Sequence, residues 1–360
     1  IFAASRMALN RLNCWAKAAR AVKSSGNFAK STMPAALKMA LIQENIAAPA
    51  SGLTSLAVLN LAPDAGSVDV YLGTTSSIAS ASLVATNVQT GSSYNTVSAG
   101  TYYFWITGYG DTTDIRLSGQ GLVLGSGQVM NLILTGSTGG LLVNAIGMVQ
   151  QASQNATQKQ DNDKARVRVV AGVSANATAA ATFGSTAFPT MISPNPYSSY
   201  TQIAGGPQVP VSLMVNGGAV AVSNQGLTAG SDSTFLVYGD AAAPKTALIA
   251  DDNRLPTNAA NAKIRLVNLL NGGAASQVLT LVSDVGGTMA TGVAQGTASA
   301  YYSNLPASTT VHLQVISPVS GSVVDVPSYN ILAKGVYSMY VFGDPTASPS
   351  TLSWNIVKDR

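Results

Sequence analysis

Beyond residue 50, apolar and polar positions alternate with a period of two in many short runs. Clear examples are Val-Arg-Val-Val (167–170), Ile-Arg-Leu-Val (264–267), Ser-Val-Asp-Val-Tyr-Leu (67–72) and Val-His-Leu-Gln-Val (311–315). A period of two places successive side chains on opposite faces of an extended strand, so one face of each run is available for burial. β-Branched and aromatic residues crowd the same runs, as in Thr-Tyr-Tyr-Phe-Trp-Ile at 101–106. Between them lie turn signals: Pro63-Asp64, Asn216-Gly217, Asn271-Gly272 and Gly286-Gly287. Asn-Gly between apolar runs favours a tight hairpin, because both residues accept the positive φ that such turns need. The pattern predicts about seven short strands per hundred residues, the signature of an immunoglobulin-like β-sandwich.

The strands also recur. Ser-Gly-Gln-Gly-Leu (118–122) returns as Ser-Asn-Gln-Gly-Leu (223–227), and Ser-Tyr-Asn-Ile-Leu (328–332) follows at the same offset of 105. Tyr94, Tyr200 and Tyr302 each open a similar turn. Leu-Ile-Leu-Thr-Gly (132–136), Phe-Leu-Val-Tyr-Gly (235–239) and Met-Tyr-Val-Phe-Gly (339–343) mark the ends. The openings are Ser-Leu-Ala-Val-Leu-Asn-Leu (55–61), Ala-Arg-Val-Arg-Val-Val (165–170) and Ala-Lys-Ile-Arg-Leu-Val (262–267). Markers in constant order at near-constant spacing predict three tandem sandwiches, at 51–149, 164–250 and 262–360. The polar stretch 150–163 reads as a linker. The shorter 251–261, with Pro256, reads as a second and stiffer one.

Residues 1–50 differ in kind. Leu12, Trp15, Ala19 and Val22 recur at helical spacing with Ala8, and Lys-Ser-Ser-Gly-Asn (23–27) interrupts the run. A second helix is expected from Ser31 or Thr32 to Pro49, with Met39, Ile42 and Ile46 on its apolar side. This basic arm is read as a contact element against a neighbouring subunit. Packing on the chain's own body, binding to an acidic membrane surface and a targeting remnant are the competing readings.

Charge sharpens this division. The net charge is +4, yet residues 1–50 alone hold seven basic residues against one acid, Glu44. The remaining 310 residues hold 12 basic and 14 acidic residues, so the body is nearly neutral. Charged residues make up only 9% of the chain, and 117–158 and 169–231 contain none. A body without a basic face argues against nucleic acid as a partner. No apolar run reaches the roughly 20 residues of a spanning helix, so no transmembrane span is expected. The single cysteine, Cys14, lies in the arm, so the sandwiches hold by packing without disulfides.

Candidate chemistry is sparse. His312 is the only histidine and alternates with Val311 and Leu313, which places it as a solvent-facing strand residue. With one histidine and one cysteine, zinc sites and Cys–His nucleophiles lack materials. Gly-Gln-Gly-Leu-Val-Leu-Gly (119–125) has the wrong spacing for a phosphate loop and belongs to the repeat pattern. Asp251-Asp252 and Asp161 with Asp163 are the places where calcium could sit, against a plainer role in linker solvation and turn capping. No catalytic residue, metal ligand or cofactor is assigned.

Leu-Ala-Val-Leu-Asn-Leu-Ala-Pro-Asp-Ala-Gly-Ser-Val-Asp-Val-Tyr-Leu-Gly (56–73) reads as strand, turn, strand, with Asp64 serving the turn and Asp69 facing solvent. An apolar strand, then Asn60, Pro63, Asp64 and Ala65, then Val68, Asp69, Val70 and Tyr71, resembles the bacterial family DUF4397. Val-Ser-Ala-Gly-Thr-Tyr-Tyr-Phe-Trp-Ile (97–106) is similar to that family's later strand. The resemblance is best over 55–147 and weaker over the later repeats, which lack both aspartates. It implies an immunoglobulin-like repeat in exported or surface-attached bacterial proteins and no known activity.

Together these readings lead to an extracellular, non-enzymatic, all-β protein of three sandwiches with a helical arm. A self-assembling subunit of a surface fibre or layer is expected, with copies of itself as partners. The alternative is a monomeric adhesin or carbohydrate-binding module, with Trp105 and Tyr109 as a platform for surface glycans.

Overall fold

The computed structural model describes residues 46–150, 157–174, 176–192, 196–271, 278–317, 321–344 and 352–360. The arm residues Leu12, Trp15, Ala19, Val22, Met39 and Ile42 lie outside this set. Ile46 lies within it, 41% exposed and in no helix.

Repeat one comprises β1 (Leu53–Leu61), β2 (Val68–Gly73), β3 (Ser82–Val88), β4 (Asn95–Ser98), β5 (Gly100–Gly108), β6 (Asp111–Leu124), β7 (Gln128–Gly136), β8 (Val143–Val149) and β9 (Thr157–Gln160). Two sheets of order β4-β1-β7-β8-β9 and β3-β2-β5-β6 face each other. Leu56, Val58, Leu132 and Leu134 from the first meet Val68, Val70, Phe104 and Ile106 from the second in one buried cluster. The stretch 150–163 is thus not all linker. Thr157–Gln160 pair with β8, and the buried Asn162 side chain donates to the carbonyls of Arg116 and Val143. Polar composition hid this strand because Thr157–Gln160 hold no apolar residue and bury none of their side chains fully.

Repeat two comprises β10 (Lys164–Val173), β11 (Ala179–Phe183), β12 (Thr186–Ala187), β13 (Thr201–Ala204), β14 (Gly206–Val209), β15 (Val211–Val215), β16 (Gly218–Val220), β17 (Gln225–Leu227), β18 (Asp232–Gly239) and β19 (Lys245–Asp251). Its main sheets run β13-β10-β18-β19 and β12-β11-β15-β16, with β14 and β17 paired apart. Phe183 packs edge-on against Phe235 and Phe188 in the core.

Repeat three comprises β20 (Asn261–Leu270), β21 (Leu279–Ser283), β22 (Gly287–Val293), β23 (Thr297–Ala298), β24 (Tyr302–Pro306), β25 (Ser308–Ser317), β26 (Gly321–Ile331), β27 (Val336–Gly343) and β28 (Ser353–Lys358). Its sheets run β23-β20-β27-β28 and β22-β21-β25-β26.

In every repeat the first strand lies parallel to a late strand of the same sheet: β1 with β7, β10 with β18 and β20 with β27. The second strand of each repeat belongs to the opposite sheet. An antibody constant domain instead keeps its first two strands as neighbours. Sandwich and core follow the alternation; the strand order departs from the immunoglobulin one.

A serine marks the same register within each repeat. Ser92, Ser198 and Ser299 each accept the backbone N–H of a first-strand residue, Val58, Val169 and Leu266, at 2.9–3.0 Å. Each hydroxyl then donates to the carbonyl one residue on. The tyrosine two residues later is Tyr94, Tyr200 or Tyr301, so the third member is Tyr301 and not Tyr302. A repeat spacing that shortens between the second and third copies causes the one-residue slip.

Candidate functional site

The resemblance motif is a set of structural locks. The Asn60 side chain donates to the carbonyls of Gly66 and Val88 and accepts from the N–H of Ala62, which bends the chain out of β1. Pro63–Ala65 form a single 3-10 turn with no side-chain cap of its own. Asp64 reaches across the molecule instead, accepting the N–H of Leu255 at 2.8 Å, and its carbonyl accepts from Arg360. Asp69 does not face solvent: it is 2% exposed. It accepts from the Thr86 hydroxyl and from the N–H groups of Asn87 and Gly110 at 2.8–2.9 Å. Asn87 and Gly110 both hold positive φ, so Asp69 ties two strained turns to one strand. Period-two reasoning places Asp69 off the core face correctly, yet that outer face is covered by its own turns.

The densest array of charge lies where repeats two and three meet. Their first sheets press outer face to outer face around Val170, Leu236, Val267, Leu269, Tyr340 and Phe342. Within this apolar layer sits a reciprocal ionic network. From repeat two, Arg168 pairs with Asp359 of repeat three. From repeat three, Arg265 pairs with Asp251 of repeat two at 2.5 Å. The register makes Arg168 the counterpart of Arg265, and Asp251 the counterpart of Asp359. The supporting groups correspond as well. Arg168 Nε donates to Thr234 and Arg265 Nε to Ser338, while Thr234 donates to Asp251 and Ser338 to Asp359. Arg168 stacks on Tyr200 at 4.7 Å and Arg265 on Tyr301 at 4.8 Å. One residue contacts another and receives the mirrored contact back, which is the definition of a two-fold, isologous interface. Repeats two and three therefore form a pseudo-dimer within one chain.

Burial sets the electrostatics of this network. Burial by itself would raise the Asp251 pKa, but the charges of Arg265 and Arg168 outweigh it and hold the carboxylate below its ordinary value. Burial pushes the Tyr200, Tyr301 and Tyr340 hydroxyls up, so they stay protonated. Asp252 sits outside the layer beside Arg254 and Lys263. Both residues of the Asp251-Asp252 pair are thus engaged by cations. Asp161 and Asp163 lie beside Lys159 and Lys164 at the surface. Among the described residues no three His, Cys, Asp or Glu side chains gather as a metal site.

Repeat one carries the same device without charge. The counterparts of Arg168, Thr234 and Asp251 are Ala57, Asn131 and Gln150. The Gln150 amide donates to the Tyr94 hydroxyl, which donates to Asn131. Sequence reasoning saw Arg168 and Arg265 only as alternation. The overlooked signal was the near-continuous apolar run of the partner strands β18 and β27, which marks strands covered on both faces.

The remaining expectations sort plainly. Trp105 is 6% exposed and stacks with Tyr103, whereas Tyr109 is 59% exposed. The two form no common platform, because only Tyr109 is presented to solvent. His312 lies at the surface, with Nε2 2.6 Å from Asp325. The stretch 119–124 lies within β6. A cleft of about 820 Å³ opens where the three repeats approach, lined by Thr138, Thr228, Ser231, Thr297, Ser299 and Tyr301. No described helix is long and apolar enough to cross a membrane.

Residues 54–180 match the family described as Domain of unknown function, DUF4397, a span from β1 into β11. The family resemblance read from residues 60–71 holds over that segment. No curated protein matches the chain. Among solved structures, a candidate cell adhesion protein from Bacteroides uniformis is 10% identical, with 56% of this chain and 98% of that one covered at a TM-score of 0.27. A second, from Bacteroides ovatus, is 10% identical, with coverage of 57% and 98% and a TM-score of 0.24. The Bacillus anthracis TIE protein is 10% identical, with coverage of 81% and 51% and a TM-score of 0.17.

Proposed function

We propose that this protein is a non-enzymatic structural protein of the bacterial exterior, whose copies assemble with one another on or outside the cell surface. The observation that carries this reading is the use of charge. The buried arginines and aspartates at the junction are spent on one another, welding two sandwiches, while the rest of the body is hydroxyl-rich and nearly neutral. A neutral surface has little self-repulsion and favours association. The basic arm, with Leu12, Trp15, Ala19, Val22, Met39, Ile42 and Ile46, supplies a contact between subunits. Electron microscopy of the purified chain at micromolar concentration tests this: regular polymers that are lost on deleting residues 1–50 support it. A monodisperse monomer at every concentration refutes it.

A second reading, a surface module that binds glycans, rests on the cleft between the repeats, where hydroxyl groups stand among apolar residues such as Leu248 and Ile249, a mixture that suits the polar edges and apolar face of a sugar. A glycan array distinguishes the two: saturable binding by a monomer favours the second.

A further inference from the structure

Repeat one has an outer face whose counterparts in both sibling repeats are interface. The shared register makes Leu59 the counterpart of Val170 and Val267, and Ile133 the counterpart of Leu236 and Tyr340. It likewise makes Met148 the counterpart of Ile249 and Val357, and Leu61 the counterpart of Gly172 and Leu269. Val170, Leu236, Val267, Leu269 and Tyr340 are all 0% exposed, in the layer between repeats two and three. In repeat one, Leu61 is 52% exposed and Met148 38%, and Leu59 and Ile133 are only half-buried. None of the four belongs to repeat one's own core. Scattered exposed apolar residues need no explanation, but four on one face do, when the counterparts of Leu59, Ile133 and Leu61 are buried in both siblings and Ile249 and Val357, the counterparts of Met148, are half-buried against the same layer.

We propose that this face pairs with the same face of a second copy of the chain, repeat one against repeat one, about a two-fold axis. The proposal rests on the self-assembly reading above and names its contact. Two observations select the occupant. First, the reciprocal packing of repeats two and three shows that this kind of face is self-complementary: a sandwich of this fold presents the surface that another accepts. Second, repeat one replaces the paired charges by Ala57, Asn131 and Gln150, so pairing there buries no ion and needs no matched partner from another repeat. The internal pseudo-dimer also locates the axis. A Cβ on Gly172 would fall 2.7 Å from the Cβ of Leu269, and these two positions are counterparts of each other. Counterparts that touch lie on the axis, so Leu61 meets Leu61 of the second copy, across a wider separation than the glycine at 172 allows between repeats two and three. A closed two-fold contact makes a pair, and growth into a polymer then needs a second contact, the role given above to the arm.

The test uses the full chain. Light scattering and sedimentation are run on the wild type and on a Leu61→Arg, Met148→Arg double variant, with near-ultraviolet circular dichroism to confirm native packing. Burying two unpaired cations per protomer weakens the pair by at least about 100-fold, so the variant dissociates where the wild type is paired. In a Cys14→Ser background, Leu61→Cys forms an interchain disulfide on mild oxidation, while Leu332→Cys, exposed on repeat three, does not. A wild type that self-associates while the double variant associates equally overturns this face and leaves the self-assembly reading intact. With Cys14 retained, an intrachain bond between Cys14 and Leu61→Cys overturns the proposal in favour of the arm as occupant. A wild type that stays monomeric throughout overturns both.

Discussion

Arg168→Met is the most informative single perturbation of the junction. Methionine keeps most of the aliphatic stem and removes the guanidinium, whose central carbon lies over the Tyr200 and Tyr340 rings. What remains is Asp359, whose side chain is fully buried, with Ser338 as a hydroxyl donor and its directly paired cation gone. Removing one partner of a buried pair costs about 3–5 kcal/mol, because an uncompensated charge stays behind. With a urea dependence of about 2–3 kcal/mol per molar, the unfolding midpoint falls by about 1–2 M. Trp354 in β28, in the same repeat as Asp359, reports the transition by fluorescence. The two-fold correspondence adds a second, sharper expectation. Arg265→Met removes the direct partner of Asp251 in the mirrored position, so its midpoint falls by a similar amount. Replacing both partners, as Arg168→Met with Asp359→Leu, restores most of the loss, since a buried pair exchanged for apolar residues is near neutral. A midpoint shift for Arg168→Met below about 0.3 M, or a double variant less stable than the single one, refutes the reasoning; the 0.3 M bound corresponds to under about 1 kcal/mol.

Three further outcomes follow from the same geometry. Asp69→Ala strands the N–H groups of Asn87 and Gly110 and lowers the stability of repeat one by about 2–4 kcal/mol, measured through Trp105 fluorescence. Gly172→Val drives a side chain into Leu269 and Phe342, which costs about 1–3 kcal/mol by overpacking and shows as faster hydrogen exchange across β10 and β20. Asp251 has a folded pKa below its ordinary 3.8, so its contribution is complete above the unfolded value and lost as pH falls through the folded one. The urea midpoint is therefore flat above about pH 5 and drops below about pH 4, and Asp251→Asn shallows that drop.

The sequence by itself determined the strands, their three-fold recurrence and the neutrality of the body. Alternation and turn chemistry are local: Val167 and Val169 point one way whatever the rest of the chain does. The same local rules placed Asp69 off the core face but could not say that Asn87 and Gly110 fold over it. They missed β9, because an edge strand of polar residues has no apolar face to betray it. They also slipped from Tyr301 to Tyr302, since nothing local fixes which tyrosine follows the register serine. Only tertiary structure decided what the outward positions of β10 and β20 face. Arginine on an exposed strand and arginine in a two-fold buried network look alike in one dimension. The difference is the carboxylate opposite, and Asp359 lies 191 residues from Arg168. That pairing exists because two sandwiches built to the same register present the same face, so each supplies the charge that the other must bury.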